Sequence, residues 1–79
     1  MITKEEFRAT VAELMDLDAG QLQDHDSRDT VAGWSSLVDI QIFALIAEKT
    51  PVEPTEALLE LATVGDLFGA LSRQKAFSD

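Results

Sequence analysis

Three apolar runs with helical spacing, each opened by a serine or threonine, commit this chain to an all-α fold. Phe7, Val11, Leu14 and Met15 fall at i, i+4, i+7 and i+8, one face of a helix. Thr3-Lys4-Glu5-Glu6 before them reads as a capping box, with the Thr3 hydroxyl accepting from a first-turn amide and Glu6 reaching back. This helix is expected to end near Leu17, with Gly20 as a turn or C-cap residue. A second helix begins at Ser35 or Ser36 and runs to about Lys49, where Thr50-Pro51-Val52-Glu53-Pro54 stops it, since proline has no N–H and disfavours helix before it. Thr55 to Leu59 forms a short helical turn. Thr63 opens the last helix, with Asp66 at the capping-box position and Val64, Leu67, Phe68 and Leu71 on one face. No segment alternates with period two, so a sheet is not expected. The expected architecture is a small all-α four-helix bundle, with three main helices, one short one and a long loop between the first and second. Residues 1–79 form a single domain, of which 73–79 are expected to be a frayed polar tail.

The chain has 79 residues, no cysteine and a net charge of −9. That length suits one small domain. Without cysteine there is neither a disulfide framework nor a thiolate metal site, so modest stability and some mobility are expected. The acidic balance disfavours nucleic acid and anionic membranes and favours partners with basic patches. No run approaches the roughly 20 apolar residues of a membrane span. Met1-Ile2-Thr3-Lys4-Glu5-Glu6 lacks the basic and apolar regions of a signal peptide, and a cytoplasmic, monomeric, free-standing protein is expected.

The polar connection over residues 18–34 carries Asp18, Asp24, Asp26 and Asp29, with Leu22 and Val31 as candidate anchors to the core. Loops of this length are usually functional or packed. This one ends in Gly33-Trp34-Ser35-Ser36-Leu37, which places a serine hydroxyl in the first turn of a helix. A helix start presents unpaired N–H groups and the positive end of a dipole, and so suits a phosphate. Ser36 is therefore a candidate to carry a phosphate-linked group, beside the plainer reading of a capping serine. Trp34 is expected to be a packing anchor. His25, alone between Asp24 and Asp26, is expected to be solvated and has no assigned role, and no metal site is expected. Asp16 to Gly20 looks superficially like a calcium loop. Its glycine is at the fifth position and Ser27 at the twelfth, which excludes an EF-hand. One histidine and no Gly-x-Ser-x-Gly elbow leave a serine hydrolase unsupported. The second helix is apolar on two sides. Ile42, Phe43 and Ile46 share one face, and Leu37, Gln41, Ala44 and Glu48 share the opposite one, which is expected to meet a partner. Val38 and Leu45 are candidates to line the interior.

At these residues the chain resembles the acyl carrier protein family, whose second helix opens with Asp-Ser-Leu, or Gly-Trp-Asp-Ser-Leu in small discrete carriers. Here the run is Gly33-Trp34-Ser35-Ser36-Leu37. Phe43-Ala44-Leu45-Ile46-Ala47-Glu48-Lys49 is similar to the family's second helix, and Thr63-Val64-Gly65-Asp66-Leu67 to the start of its last. The likeness runs from the first helix to about Leu71. It implies a non-enzymatic carrier. A phosphopantetheinyl transferase would join 4′-phosphopantetheine from coenzyme A to Ser36, and the arm's thiol would hold acyl or aminoacyl groups as thioesters. Ligases, acyltransferases or synthases would be the partners, in a polyketide, nonribosomal peptide, fatty acyl or polysaccharide-modifying pathway. Ser35, Leu37, Val38, Ile40, Gln41, Ala44 and Glu48 would form the docking surface. The chain departs from the family at Ser35, where aspartate is usual, and in the scarcity of acids on the second helix, where only Asp39 and Glu48 stand between Leu37 and Lys49. Docking by apolar contact is the expectation that follows. The alternative is a degenerate, unmodified carrier-like interaction module.

Overall fold

The computed structural model describes residues 2–79; Met1, invoked above for the chain start, lies outside them. The order is α1 (Lys4–Leu14), a 3-10 turn (Ala19–Gln21), α2 (Ser36–Lys49), α3 (Glu56–Leu59) and α4 (Val64–Arg73). No strand forms among the described residues, apart from one isolated bridge between Ser27 and Thr63. The chain is thus a small all-α bundle of four helices.

Each long helix starts where its cap residue predicts. The Thr3 hydroxyl accepts from the Glu6 amide at 3.1 Å, and the Glu6 carboxylate accepts from the Thr3 amide at 3.2 Å, which completes the capping box. Thr63 caps α4 by accepting from the Asp66 amide at 3.1 Å. α1 ends at Leu14, three residues before the expected Leu17, and Gly20 lies in the 3-10 turn instead of capping it. The reason is Asp16, whose φ of 60° is in the left-handed region. The Leu17 amide then bonds back to the Ala12 carbonyl and the Asp16 amide to the Glu13 carbonyl, a Schellman closure without glycine. α4 ends in the same way. Lys75 has φ 59°, the Ala76 amide bonds to the Leu71 carbonyl, and the Lys75 amide bonds to the Ser72 carbonyl.

That second closure corrects the expected fraying of residues 73–79. It turns the chain back so that Ala76 and Phe77 are buried, and the Phe77 ring lies 5.3 Å from Phe7 and 6.2 Å from Phe68. The Ser78 amide bonds to the Ile2 carbonyl, and the Asp79 carboxylate accepts from the Lys4 amide at 2.9 Å. A carboxylate there also suits the positive end of α1. The core gathers around Phe7 and Phe68, which meet edge to face at 5.4 Å, with Val11, Ile42, Ile46 and Leu71 fully buried around them.

The long loop is ordered by contacts at both ends. Leu22 and Val31 are buried, as expected of its anchors. Arg8 donates to the Leu22 carbonyl and the Asp24 carboxylate, and its guanidinium lies 4.8 Å from the centre of the Phe68 ring. The bond from Arg8 holds the Asp24 carboxyl below the ordinary carboxylate range. The Gln23 amide, helped by the Thr30 hydroxyl, does the same for Asp26. The carbonyls of Asp26 and Asp24 accept from the Val64 and Gly65 amides, so the loop seals the start of α4. No helix among the described residues is long and apolar enough to cross a membrane.

Candidate functional site

Ser36 is the first residue of α2, and its side chain is exposed. Ser35 stands outside the helix with extended backbone (φ −107°, ψ 177°) and accepts from the Val38 amide at 3.4 Å, a long cap bond. The Ser36 and Leu37 amides have no hydrogen-bond partner among the described residues. The hydroxyl of Ser36 therefore stands beside two free N–H donors at the positive end of a 14-residue helix. This arrangement favours an anion bonded to Ser36 without offering a base to ionise it. His25 is exposed on the loop, 4.0 Å from the Asp26 carboxylate. A shallow cleft of about 520 Å³ beside Gly33, between Met15 and Val31, does not include Ser36 in its walls.

The residues before Ser36 fix where α2 begins. A Cβ on Gly33 would overlap the Met15 carbonyl, so only glycine lets the loop cross the end of α1 this closely. Trp34 is buried at 5 % exposure, which agrees with the packing role expected of it. Its indole N–H donates to Asp39 Oδ1 at 2.8 Å, and the Arg28 guanidinium stacks 4.5 Å from its ring centre. Arg28 also grips Asp39 with a two-toothed pair, Nε to Oδ2 at 3.1 Å and Nη2 to Oδ1 at 2.7 Å. The same guanidinium donates to the Leu59 and Leu61 carbonyls. Sequence reasoning missed this node. Arg28 and Asp39 are 11 residues apart and belong to no local motif, and no pattern in the chain marks them as partners.

α2 divides its apolar residues as the two-faced reading requires. Ile42 and Ile46 are buried, with Phe43 and Leu45 half-buried at the margin. Leu37 and Ile40 are 63 % and 64 % exposed, and Ser35, Gln41, Ala44 and Glu48 are exposed near them. Val38 is corrected as a docking residue. At 100° per residue it falls in line with Ile42 and Ile46, and it is buried at 4 % exposure. Because Arg28 neutralises Asp39 within the fold, the exposed face of α2 presents Leu37, Ile40, Gln41 and Ala44, with Glu48 at the far end as an acid 3.8 Å from the Lys49 ammonium. No protein-family model, curated protein or solved structure matches the chain.

Proposed function

We propose that the protein is a carrier for thioester-bound acyl or aminoacyl groups, with Ser36 as the attachment point of a 4′-phosphopantetheine arm. The observation that carries this reading is the exposed Ser36 hydroxyl beside the free amides of Ser36 and Leu37. In the loading step the Ser36 oxygen bonds to the phosphorus nearer the pantetheine of coenzyme A. The pyrophosphate bond breaks, and 3′,5′-ADP leaves with the electron pair. A phosphopantetheinyl transferase supplies the base that takes the hydroxyl proton. The two free amides then face the phosphodiester charge, and the helix dipole favours it. The arm supplies the thiol that a cysteine-free chain lacks. Ser36 is thus an acceptor and not a catalyst.

Partner enzymes dock on the exposed face of α2 through Leu37, Ile40, Gln41 and Ala44. With Asp39 tied to Arg28, this contact is mainly apolar, and affinity for a partner should change little between low and physiological salt. An affinity that fell steeply with salt would contradict that mode of docking.

The test of the carrier reading is intact mass after incubation with coenzyme A and a broad-specificity transferase, on wild type and on Ser36→Ala. One added phosphopantetheine on the wild type alone is expected. No addition to either, with the transferases of the source organism included, would move the reading to an unmodified interaction module.

A further inference from the structure

The short helix α3 is tied to α2 through one side chain. α3 has four residues, buries Leu58 alone, and has no side-chain bond at its cap residue Thr55. It packs on α4. Two prolines, Pro51 and Pro54, lie in the segment that leads into it. At its far end the Leu59 and Leu61 carbonyls accept from Arg28 at 2.7 and 3.1 Å. The guanidinium that holds them is itself held by Asp39 on α2, through both carboxylate oxygens, and by the face of Trp34. Four segments meet there: the long loop, the approach to α2, the first turn of α2, and the end of α3. A fork of this geometry loses several bonds together if it lets go, because one planar group makes them all.

We propose that Arg28 is a latch for α3. With Arg28 seated on Asp39, residues 55–61 are held closed. When the pair parts, that segment opens as a unit while α1, α2 and α4 stay folded, because α3 contributes only Leu58 to a core whose other helical members belong to α1, α2 and α4. Opening uncovers the apolar surface beneath Leu58. The device belongs to the fold and operates whether or not Ser36 carries a group.

Native-state hydrogen exchange of the full chain, read residue by residue, tests the latch. The reporters are the amides of Leu58, bonded to the Thr55 carbonyl, and Glu60, bonded to the Glu56 and Ala57 carbonyls. In Arg28→Gln both should exchange at least tenfold faster, while Val11 and Leu71 change by less than twofold. Asp39→Asn keeps an acceptor for Trp34 and removes the charge, and should give the same local acceleration. The double variant should be no faster at Leu58 and Glu60 than Arg28→Gln alone, because the two residues act through one contact. Uniform acceleration at all four amides would overturn the proposal in favour of a general contribution to stability. So would loss of folding in both single variants, unchanged exchange at Leu58 and Glu60, or a wild-type α3 with no protection to lose.

Discussion

At the start of α4 the first three amides are all taken: Val64 by the Asp26 carbonyl, Gly65 by the Asp24 carbonyl and Asp66 by the Thr63 hydroxyl. At the start of α2 Ser35 reaches only the third, that of Val38, and does so at 3.4 Å. The contrast continues along the helices. Every large apolar residue of α4 is buried, whereas α2 buries Val38, Ile42 and Ile46 and leaves Leu37 and Ile40 in water. Both helices face the same core and both open with a hydroxyl cap, so the difference is not one of local propensity. The long loop is spent on sealing α4, and Gly33 and Trp34 then set the start of α2 in place without covering it. α4 commits all its large apolar residues to the fold. α2 serves the fold with one face and leaves a helix start and an apolar face available.

The sharpest way to break this comparison is to truncate one residue on each helix. Phe68→Ala should cost about 3–5 kcal/mol of stability, because it opens a cavity between Phe7 and Phe77. Ile40→Ala should stay within about 0.5 kcal/mol. Chemical denaturation with both variants checks the pair, and a large loss at Ile40 would mean that the outer face of α2 also supports the bundle. A smaller contrast is expected between the caps. Thr63→Ala should cost about 1 kcal/mol, and Ser35→Ala less than half of that, since its bond is long and its helix start is otherwise open. Equal losses would argue that Ser35 caps α2 as fully as Thr63 caps α4.

The gentlest probe is acid. Asp24 and Asp26 shape the loop that seals α4, and both carboxyls titrate below the ordinary range in the folded state. Groups lowered in this way stabilise the fold fully above the unfolded carboxylate value of about 4, and that contribution is lost as pH falls through the lowered values. The unfolding midpoint should therefore hold between pH 7 and 5 and decline below about pH 4. Arg8→Gln should weaken that decline, because Arg8 supplies the largest part of the Asp24 shift.

Much of this fold is legible in the residues. Thr3 with Glu6, and Thr63 before Val64, mark helix starts by local chemistry, and Leu22 and Val31 are visible as apolar anchors in a polar run. What the residues do not show are features fixed by tertiary contact. Asp16 and Lys75 end helices in a conformation usually left to glycine, so the end of α1 and the return of Ala76 and Phe77 to the core are not written in local pattern. Trp34 can be read as an anchor from its size alone, yet its ties to Arg28 and Asp39 join residues with no periodic relation. The resemblance places Val38 on the docking face, whereas helical phase puts it in line with Ile42 and Ile46, in the interior that it is also a candidate to line. The candidate site was legible at Ser36 because a helix start is a local feature. That its amides stay free while those of α4 are consumed depends on where the loop goes.

The most direct test is a pair of amide spectra of the uniformly 15N-labelled protein, before and after incubation with coenzyme A and a phosphopantetheinyl transferase. The amides of Ser36 and Leu37 should shift most, and those of Val64 and Gly65 should stay where they are. An unchanged spectrum, or shifts centred on the start of α4, would contradict the proposal that this protein carries a group at the open end of α2.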